Sequence, residues 1–574
     1  MTRKLQIPSL LVCVLTLVPP MSASDQPVAG DSPESRPAAS SEIELLKKML
    51  ADQQRQIDEL RRQLAGGQAA NKEEQKADVK PTYPSTGQVA STTPIVPPSP
   101  APIAPPVFNN PPSPAPAPQQ HPDNVMESPL QLKIGDAYIT PVGFMDMTSV
   151  SRSTNPGSGI GTNFGSIPYG NVQAGSLTET RFSIQNSRIG ARVDAIAKGW
   201  KILGYWESDF LGQLGNPPNG GLAVSSNPYV FRMRLYWVDV TKGKLEFLAG
   251  QSWSLMTPNR KGISPLPGDI FYSQDIDVNY QLGLVWGRIP GYRFGFHPSD
   301  KVAIGIALEN SEPYVGGGNG GSGAVLPAAI STTATTGTIG SVLGGQINNG
   351  SSVISSAALA PDVIVKLAFD PTSRVHFEVA GVEIANKIAF PGPNTTFPTN
   401  TKIGGGGSLN LNVALTKNFR LLTNNFYSSG GGRYIFGQAP DFIIRSNGTI
   451  SLVHSASTVT GFELNARNTL LYGYYGGVYV GRDMALDANG TTKIGYGSIS
   501  SDGQNRAIQE ITFGTNTTLM RDPKWGALNL MFQYSYLQRN PWLAAVGAPT
   551  NAHADMGFVN FRYTLPGQAP SLEK

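Results

Sequence analysis

Arginine occurs at 188 and 192 in QNSRIGARVD and at 232 and 234 in FRMRLYWVDV. In an extended chain, residues two or four apart share a face. Each pair therefore presents two guanidiniums in one direction. The intervening YWESDFLG places Glu207 and Asp209 on one face by the same rule. Guanidiniums stay charged and offer planar forks that suit carboxylates. Such rows either concentrate and steer anions or ladder with acids to brace a wall. The sequence leaves both readings open. Arg293, Arg467 and Arg562 are further candidates for the same surface, and Asp269, Asp275 and Asp277 add acids from a nearby loop.

Nothing comparable points to catalysis. Nucleophilic chemistry needs a nucleophile and a base held together and oriented. The five histidines, His121, His297, His376, His454 and His553, are scattered, and none forms HExxH or another local ligand spacing. The glycine runs at 157–161 and 404–407 lack phosphate-loop spacing. No catalytic residue, metal ligand or cofactor site is assigned.

The elements that position the arginines are strands. In KVAIGIALEN, Val302, Ile304, Ile306 and Leu308 alternate with small or charged residues. Val363, Val365, Leu367 and Phe369 do the same, and after a short turn so do Val375, Phe377 and Val379. Sixteen such segments are predicted: 137–148, 181–196, 201–210, 230–240, 245–252, 290–297, 301–309, 361–369, 374–384, 404–416, 418–427, 459–469, 471–480, 506–518, 524–537 and 552–564. Short and long connections alternate between them. The expected fold is all-β, a 16-stranded antiparallel transmembrane β-barrel over residues 130–566, with lipid outside and a wet lumen. Residues 254–289 form the third long loop, although IDVNYQLGLVWGRI within it is strand-like. Counting it as a hairpin gives eighteen strands. The alternation sends Ile189, Val193, Ile202, Trp206, Phe210, Leu235 and Trp237 outward. It sends Arg188, Arg192, Asp194, Lys201, Tyr205, Glu207, Asp209, Arg232 and Arg234 inward. Near the carboxyl end Leu528, Leu530, Phe532, Tyr534 and Tyr536 face lipid, while Asn529 and Gln533 face the lumen.

Composition agrees. Only 15% of the 574 residues are charged, while 64 are glycine and 9% aromatic, which suits twisted strands with interfacial aromatic belts. The formal charge of +4 is too small, and too unclustered, for nucleic acid binding. Cys13 is the single cysteine and lies in a leader read at 1–23, so the mature chain has no thiol chemistry.

The segment before the barrel has its own character. Ile43, Leu46, Leu50, Gln53, Ile57, Leu60 and Leu64 mark a heptad seam, which predicts an α-helical coiled coil over 41–65 in the periplasm. Residues 68–129 are a linker, proline-rich in its second half, that favours extended polyproline II.

These residues resemble the DcaP-type porins of Gram-negative outer membranes. The likeness rests on GDAYITPVGFMDM, QNSRIGARVD, YWESDFLG, FRMRLYWVDV followed by KGKLEFLAGQSWSLM, and VAIGIALENSEP. It covers roughly residues 135–312. It implies a homotrimer joined by a three-stranded coil, embedded in outer-membrane lipid and passing small anionic solutes such as dicarboxylates. The arginines best matched to the family's pore are Arg188, Arg232 and Arg234. The chain departs from the family in its long loop at 317–359, its proline tract, and an ending that runs past Tyr563 through LPGQAPSLEK.

The expected function is thus an outer-membrane porin for small hydrophilic solutes, with a preference for anions. An envelope tether, its coiled coil and proline arm touching the cell wall, is the alternative of a different class. A barrel enzyme is a weaker one.

Overall fold

The structure is a computed structural model. It describes residues 55, 130–212, 230–266, 271–275, 280–316, 323–331, 346–348, 356–499, 504–522 and 524–566. The chain divides into two compact units, Met1–Pro84 and Ser85–Lys574. In the first only Arg55 is described, in helical conformation. The coiled coil expected at 41–65 otherwise lies outside the described residues, as do the leader and the linker up to residue 129.

Sixteen antiparallel strands form one closed wall. They are β1 (Ala137–Arg152), β2 (Glu179–Ser183 and Arg188–Ala197), β3 (Trp200–Gly212), β4 (Val230–Lys242), β5 (Leu245–Trp253), β6 (Arg288–Ser299), β7 (Val302–Glu309) and β8 (Asp362–Thr372). The ring continues with β9 (Val375–Ala389), β10 (Thr399–Ala414), β11 (Phe419–Ser429), β12 (His454–Ala466), β13 (Thr469–Val480), β14 (Asn505–Asp522), β15 (Gly526–Pro541) and β16 (Ala552–Thr564). Each strand pairs with its sequence neighbours, and β1 also pairs with β16, Asp146 opposite Arg562 and Thr148 opposite Asn560. That last pairing closes the sheet, so the barrel has no free edge.

The alternation expected from sequence decides which face looks out. Val363, Val365, Leu367 and Phe369 are each at least 39% exposed, whereas Asp362, Ile364, Lys366 and Ala368 are buried inside. Phe532 and Tyr534 are likewise exposed, with Met531, Gln533 and Ser535 buried between them. An outer surface of this kind is unstable in water and favourable in hydrocarbon. Exposed aromatics gather near both rims: Trp200, Phe296, Phe369 and Trp525 beside the short turns, Tyr292, Tyr427 and Tyr479 near the long loops. The turns are tight where the sequence supplies left-handed residues. Lys198 and Gly199 both take positive φ, 51° and 77°, as a two-residue type I′ hairpin requires.

The segment 254–287 between β5 and β6 is one loop, and the count is sixteen. The loop folds into the barrel and is pinned to the far wall. Asn259 N–H donates to Glu378 Oε1 on β9 (3.1 Å), and Lys366 Nζ on β8 donates to the Thr257 carbonyl (2.7 Å). Arg260 makes a two-pronged pair with Glu463 on β12 (2.9 and 2.5 Å). Farther along, Gln274 N–H donates to Gln533 Oε1 on β15 (2.8 Å), and Gln281 Nε2 and Leu282 N–H both donate to Glu510 Oε2 on β14 (2.8 and 3.1 Å).

The loop's apolar side has a matching seat. Leu255, Met256, Ile263, Phe271, Leu282, Val285 and Trp286 pack on Ala303, Ala307, Ile364, Ala368, Ala380 and Ile384 of the inner wall. The lumenal face is therefore not uniformly wet; on β7–β9 it is apolar and covered. The strand-like look of 280–289 has this origin, because residues packed on an apolar wall are selected as core residues are. Gly476 gives the closest approach. A Cβ there would lie 2.1 Å from the Leu282 carbonyl oxygen.

Two predictions follow from the docked loop. Gly476→Val forces the loop from its seat and lowers unfolding stability by about 1–3 kcal/mol. Gly557→Ala on β16, where a Cβ meets nothing within 4 Å, changes it by less than about 0.5 kcal/mol. Denaturant titration in detergent micelles reads both.

The second concerns Asp275. Its carboxylate accepts from Gln533 Nε2 and Ser535 Oγ, both at 2.8 Å, meets the Glu510 carboxyl, and has Arg152 as its cationic neighbour. Burial pushes the carboxyl up to about 7. The unfolded carboxyl titrates near ~4, so between the two values the folded state holds more protons. Stability is fully present below ~4 and is lost as pH rises through about 7. The unfolding midpoint falls across that interval, and Asp275→Asn flattens the fall. A wild-type slope no steeper than the variant's sinks this assignment.

Candidate functional site

The arginine cluster forms across three adjacent strands. Arg188 on β2 lies opposite Asp209 on β3, and Asp209 lies opposite Arg232 on β4. The acids thus stand between the two arginine rows. Arg232 grips Asp209 with both arms of its fork, Nε to Oδ1 at 2.9 Å and Nη2 to Oδ2 at 2.6 Å. Arg234 divides between the acids, Nε to Glu207 Oε1 at 2.5 Å and Nη1 to Asp209 Oδ2 at 2.6 Å. Arg188 Nη1 stands 3.6 Å from Glu207 Oε1. Tyr205 O–H and Leu211 N–H complete the carboxylates' shells, each at 3.0 Å. Among the described residues three guanidiniums thus converge on two carboxylates. Arg232 is the member most open to solvent, its side chain 33% exposed against 2% for Arg188 and 1% for Arg234.

The expected phase of β4 is corrected by a β-bulge. Glu207 pairs with Leu235 and Ser208 with Met233, so Arg234 is the extra residue and alternation slips by one. Arg232 and Arg234 point inward before the slip. Leu235 and Trp237, expected outward, are buried inside after it, while Tyr236 and Val238 are exposed. Trp237 stacks on Tyr205 with ring centroids 5.4 Å apart.

The remaining candidates separate. Arg192 is fully buried and turns back to its own strand, donating to Asp194 Oδ1 at 2.7 Å. Arg562 donates to Asp146 Oδ2 (2.8 Å) and reaches Gln274 of the loop (3.2 Å). Arg293 faces inward on β6, with Nε and Nη2 unmatched by any acceptor among the described residues. Arg467 is corrected: strand β12 ends at Ala466, and Arg467 occupies the exposed tight turn with φ of 57°. Of the loop acids only Asp275 is described; Asp269 and Asp277 lie outside the described residues.

Asp146, Arg260 and Glu463 are not singled out by the sequence, and neither is the pairing of Lys366 with Glu378, whose atoms are 3.3 Å apart. Asp146, Glu463 and Glu378 were visible as charges on the inward phase of apolar strands. Arg260 had no such signal, since its partner lies 203 residues away. Among the histidines, His297 meets Glu246 (2.6 Å) and His376 meets Asp370 (2.8 Å), both near the short-turn end. Among the described residues no group of three or more acids, histidines or cysteines is placed to hold a metal ion.

No protein-family model matches the sequence, and no curated protein matches it either. Solved structures do. The outer membrane channel DcaP of Acinetobacter baumannii aligns over 75% of this chain and 97% of its own, with a TM-score of 0.52 and 13% identity. An anion-selective porin from Comamonas acidovorans covers 75% of this chain and 99% of its own, at 9% identity and a TM-score of 0.41. OmpT of Vibrio cholerae, with loop L8 deleted, gives the same coverage at 8% identity and 0.36. With its sixteen-stranded closed wall and inward-folded third loop, the chain shares the fold of the DcaP channel.

Proposed function

We propose that the protein is an outer-membrane porin, a passive diffusion channel for small hydrophilic solutes that favours anions such as dicarboxylates. The observation that carries this reading is the lumenal cluster of Arg188, Arg232 and Arg234, which among the described residues meets two carboxylates, Glu207 and Asp209. The carboxylates do not cancel the arginines so much as fix them. A guanidinium held in a bidentate fork cannot swing away. A row of fixed guanidiniums in a low-dielectric wall attracts anions more strongly than the same charges in bulk water. The apolar outer band with aromatics at both rims supports placement in a bilayer, and the even strand count brings residues 137 and 564 to the short-turn rim, which faces the periplasm in barrels of this type.

In this reading residues 1–23 are the secretory leader, 41–65 a periplasmic coiled coil that joins three copies, and 68–129 the spacer between coil and barrel. The DcaP structure, described as an outer membrane channel, supports the transport role.

Reversal potentials in planar bilayers under a KCl gradient test the anion preference. Arg232→Gln lowers the anion-to-cation permeability ratio about two- to fivefold, as removal of one partly exposed charge should. Glu207→Gln raises it. Equal ratios in all three proteins defeat the arginine reading. A second measurement addresses assembly: deletion of residues 41–65 converts the detergent-extracted oligomer to monomer on a semi-native gel, and an oligomer that survives the deletion removes the coil from that role.

A further inference from the structure

A second basic site lies at the other end of the lumen. Beneath the elbow of the inserted loop is a cleft of about 410 Å³ lined by Arg260, Lys261, Lys301, Arg374, Arg420 and Asn412, with Asp300, Asp370 and His376 beside them. It opens at the short-turn rim, between the β6–β7 and β8–β9 turns. It is separate in sequence from the cluster on β2–β4.

Its charges are not balanced. Glu463 is occupied by the fork of Arg260 and by Tyr474 O–H at 3.0 Å. Asp370 is occupied by His376 Nδ1 at 2.8 Å and by Gly262 N–H at 2.9 Å. Four cations, Lys261, Lys301, Arg374 and Arg420, remain against Asp300 and Asp370. The Arg420 side chain makes no hydrogen bond among the described residues, its Nη1 lying 4.0 Å from Glu463 Oε2, and is 22% exposed. Lys261, Lys301 and Arg374 are exposed and form no ion pair among the described residues. Four like charges around one concavity repel each other, and an anion seated between them relieves that repulsion. Arg260 holds the elbow in place, so the loop that narrows the lumen also builds the cleft.

We infer that this cleft is a binding station for small dianions carrying their charge on oxygen, a dicarboxylate or a phosphate, at the periplasmic mouth. The inference rests on the reading of the barrel as a solute path and adds a second station to it. An anion leaving Arg232 would meet Arg420 and Lys261 before release. The volume falls within the range of small-molecule sites, and flexible lysines at its rim suit capture and release better than a fixed fork does.

The test uses the full chain in planar bilayers, with succinate or inorganic phosphate added to one chamber at a time and interruptions of the chloride current recorded. Wild-type protein shows dianion-dependent interruptions that differ between the two sides. Lys261→Gln with Arg420→Gln lowers the association constant from the short-turn side about fivefold, and Lys261→Arg retains it. Folding is checked by the gel shift between unheated and heated samples. If the double variant fails to fold, Lys261→Gln alone carries the test, since its side chain is exposed, with about a twofold loss. Interruption by succinate alone or by phosphate alone assigns the source of the dianion. Association constants unchanged in the glutamine variants overturn the inference. Because Arg232→Gln reports on permeability ratio and Lys261→Gln on one-sided interruption, either proposal can fail while the other stands.

Discussion

Backbone hydrogen bonding in hydrocarbon is the constraint from which the rest follows. A strand facing lipid has no water for its N–H and C=O groups, and each unmet group costs several kcal/mol, so the sheet must close. Here closure falls to β1, which must satisfy two neighbours along one length. Its first half pairs with Arg188–Ala197 and its second with Glu179–Ser183, while the opposite edge runs along β16. The break in β2 between Ser183 and Arg188 is bridged by side chains, Asn186 Nδ2 donating to Thr148 Oγ1 at 2.9 Å. Asp146, Asn560 and Arg562 make a buried polar joint at the same seam. Irregular backbone at this seam is thus accompanied by buried polar side-chain bonding.

Closure also creates the interior problem. A ring of sixteen strands encloses more space than its own side chains fill. The 254–287 loop fills part of it, and does so by two means. Apolar contacts hold it to β7–β9, and polar contacts hold it to strands from β7 to β15. The polar anchors are charged side chains that would be costly if buried without partners. Glu463, Glu378 and Lys366 all find theirs on the loop or on each other. The loop and the inner wall therefore depend on one another: without the loop, an apolar patch and several charges would face water at once.

This division explains what could be read from the sequence. Strands were legible wherever lipid imposes alternation, as from Val363 to Phe369 or from Leu528 to Tyr536. Their ends were not. β10 begins at Thr399 rather than 404 and β12 at His454 rather than 459, because the wall continues beyond the lipid, where an exposed Lys402 or His454 is as acceptable as valine. Leu235 and Trp237 were misplaced by a one-residue slip that no periodicity argument detects. The arginines and acids of β2–β4 were legible as a set, since all lie on the inward phase before the bulge. Their pairing was not, because which acid each fork takes depends on strand register.

The bulge in β4 also shapes the arginine cluster. In a regular strand Arg232 and Arg234 would stand two residues apart, each opposite its own partner on β3. The extra residue shortens their separation along β3, so that Arg234 reaches both Glu207 and Asp209 while Arg232 keeps the fork on Asp209. Among the described residues two carboxylates then orient three guanidiniums. A straight strand with the same residues would carry the same charge but pair each arginine with one acid. The local irregularity therefore sets which carboxylate each guanidinium meets, while the residue types set the charge.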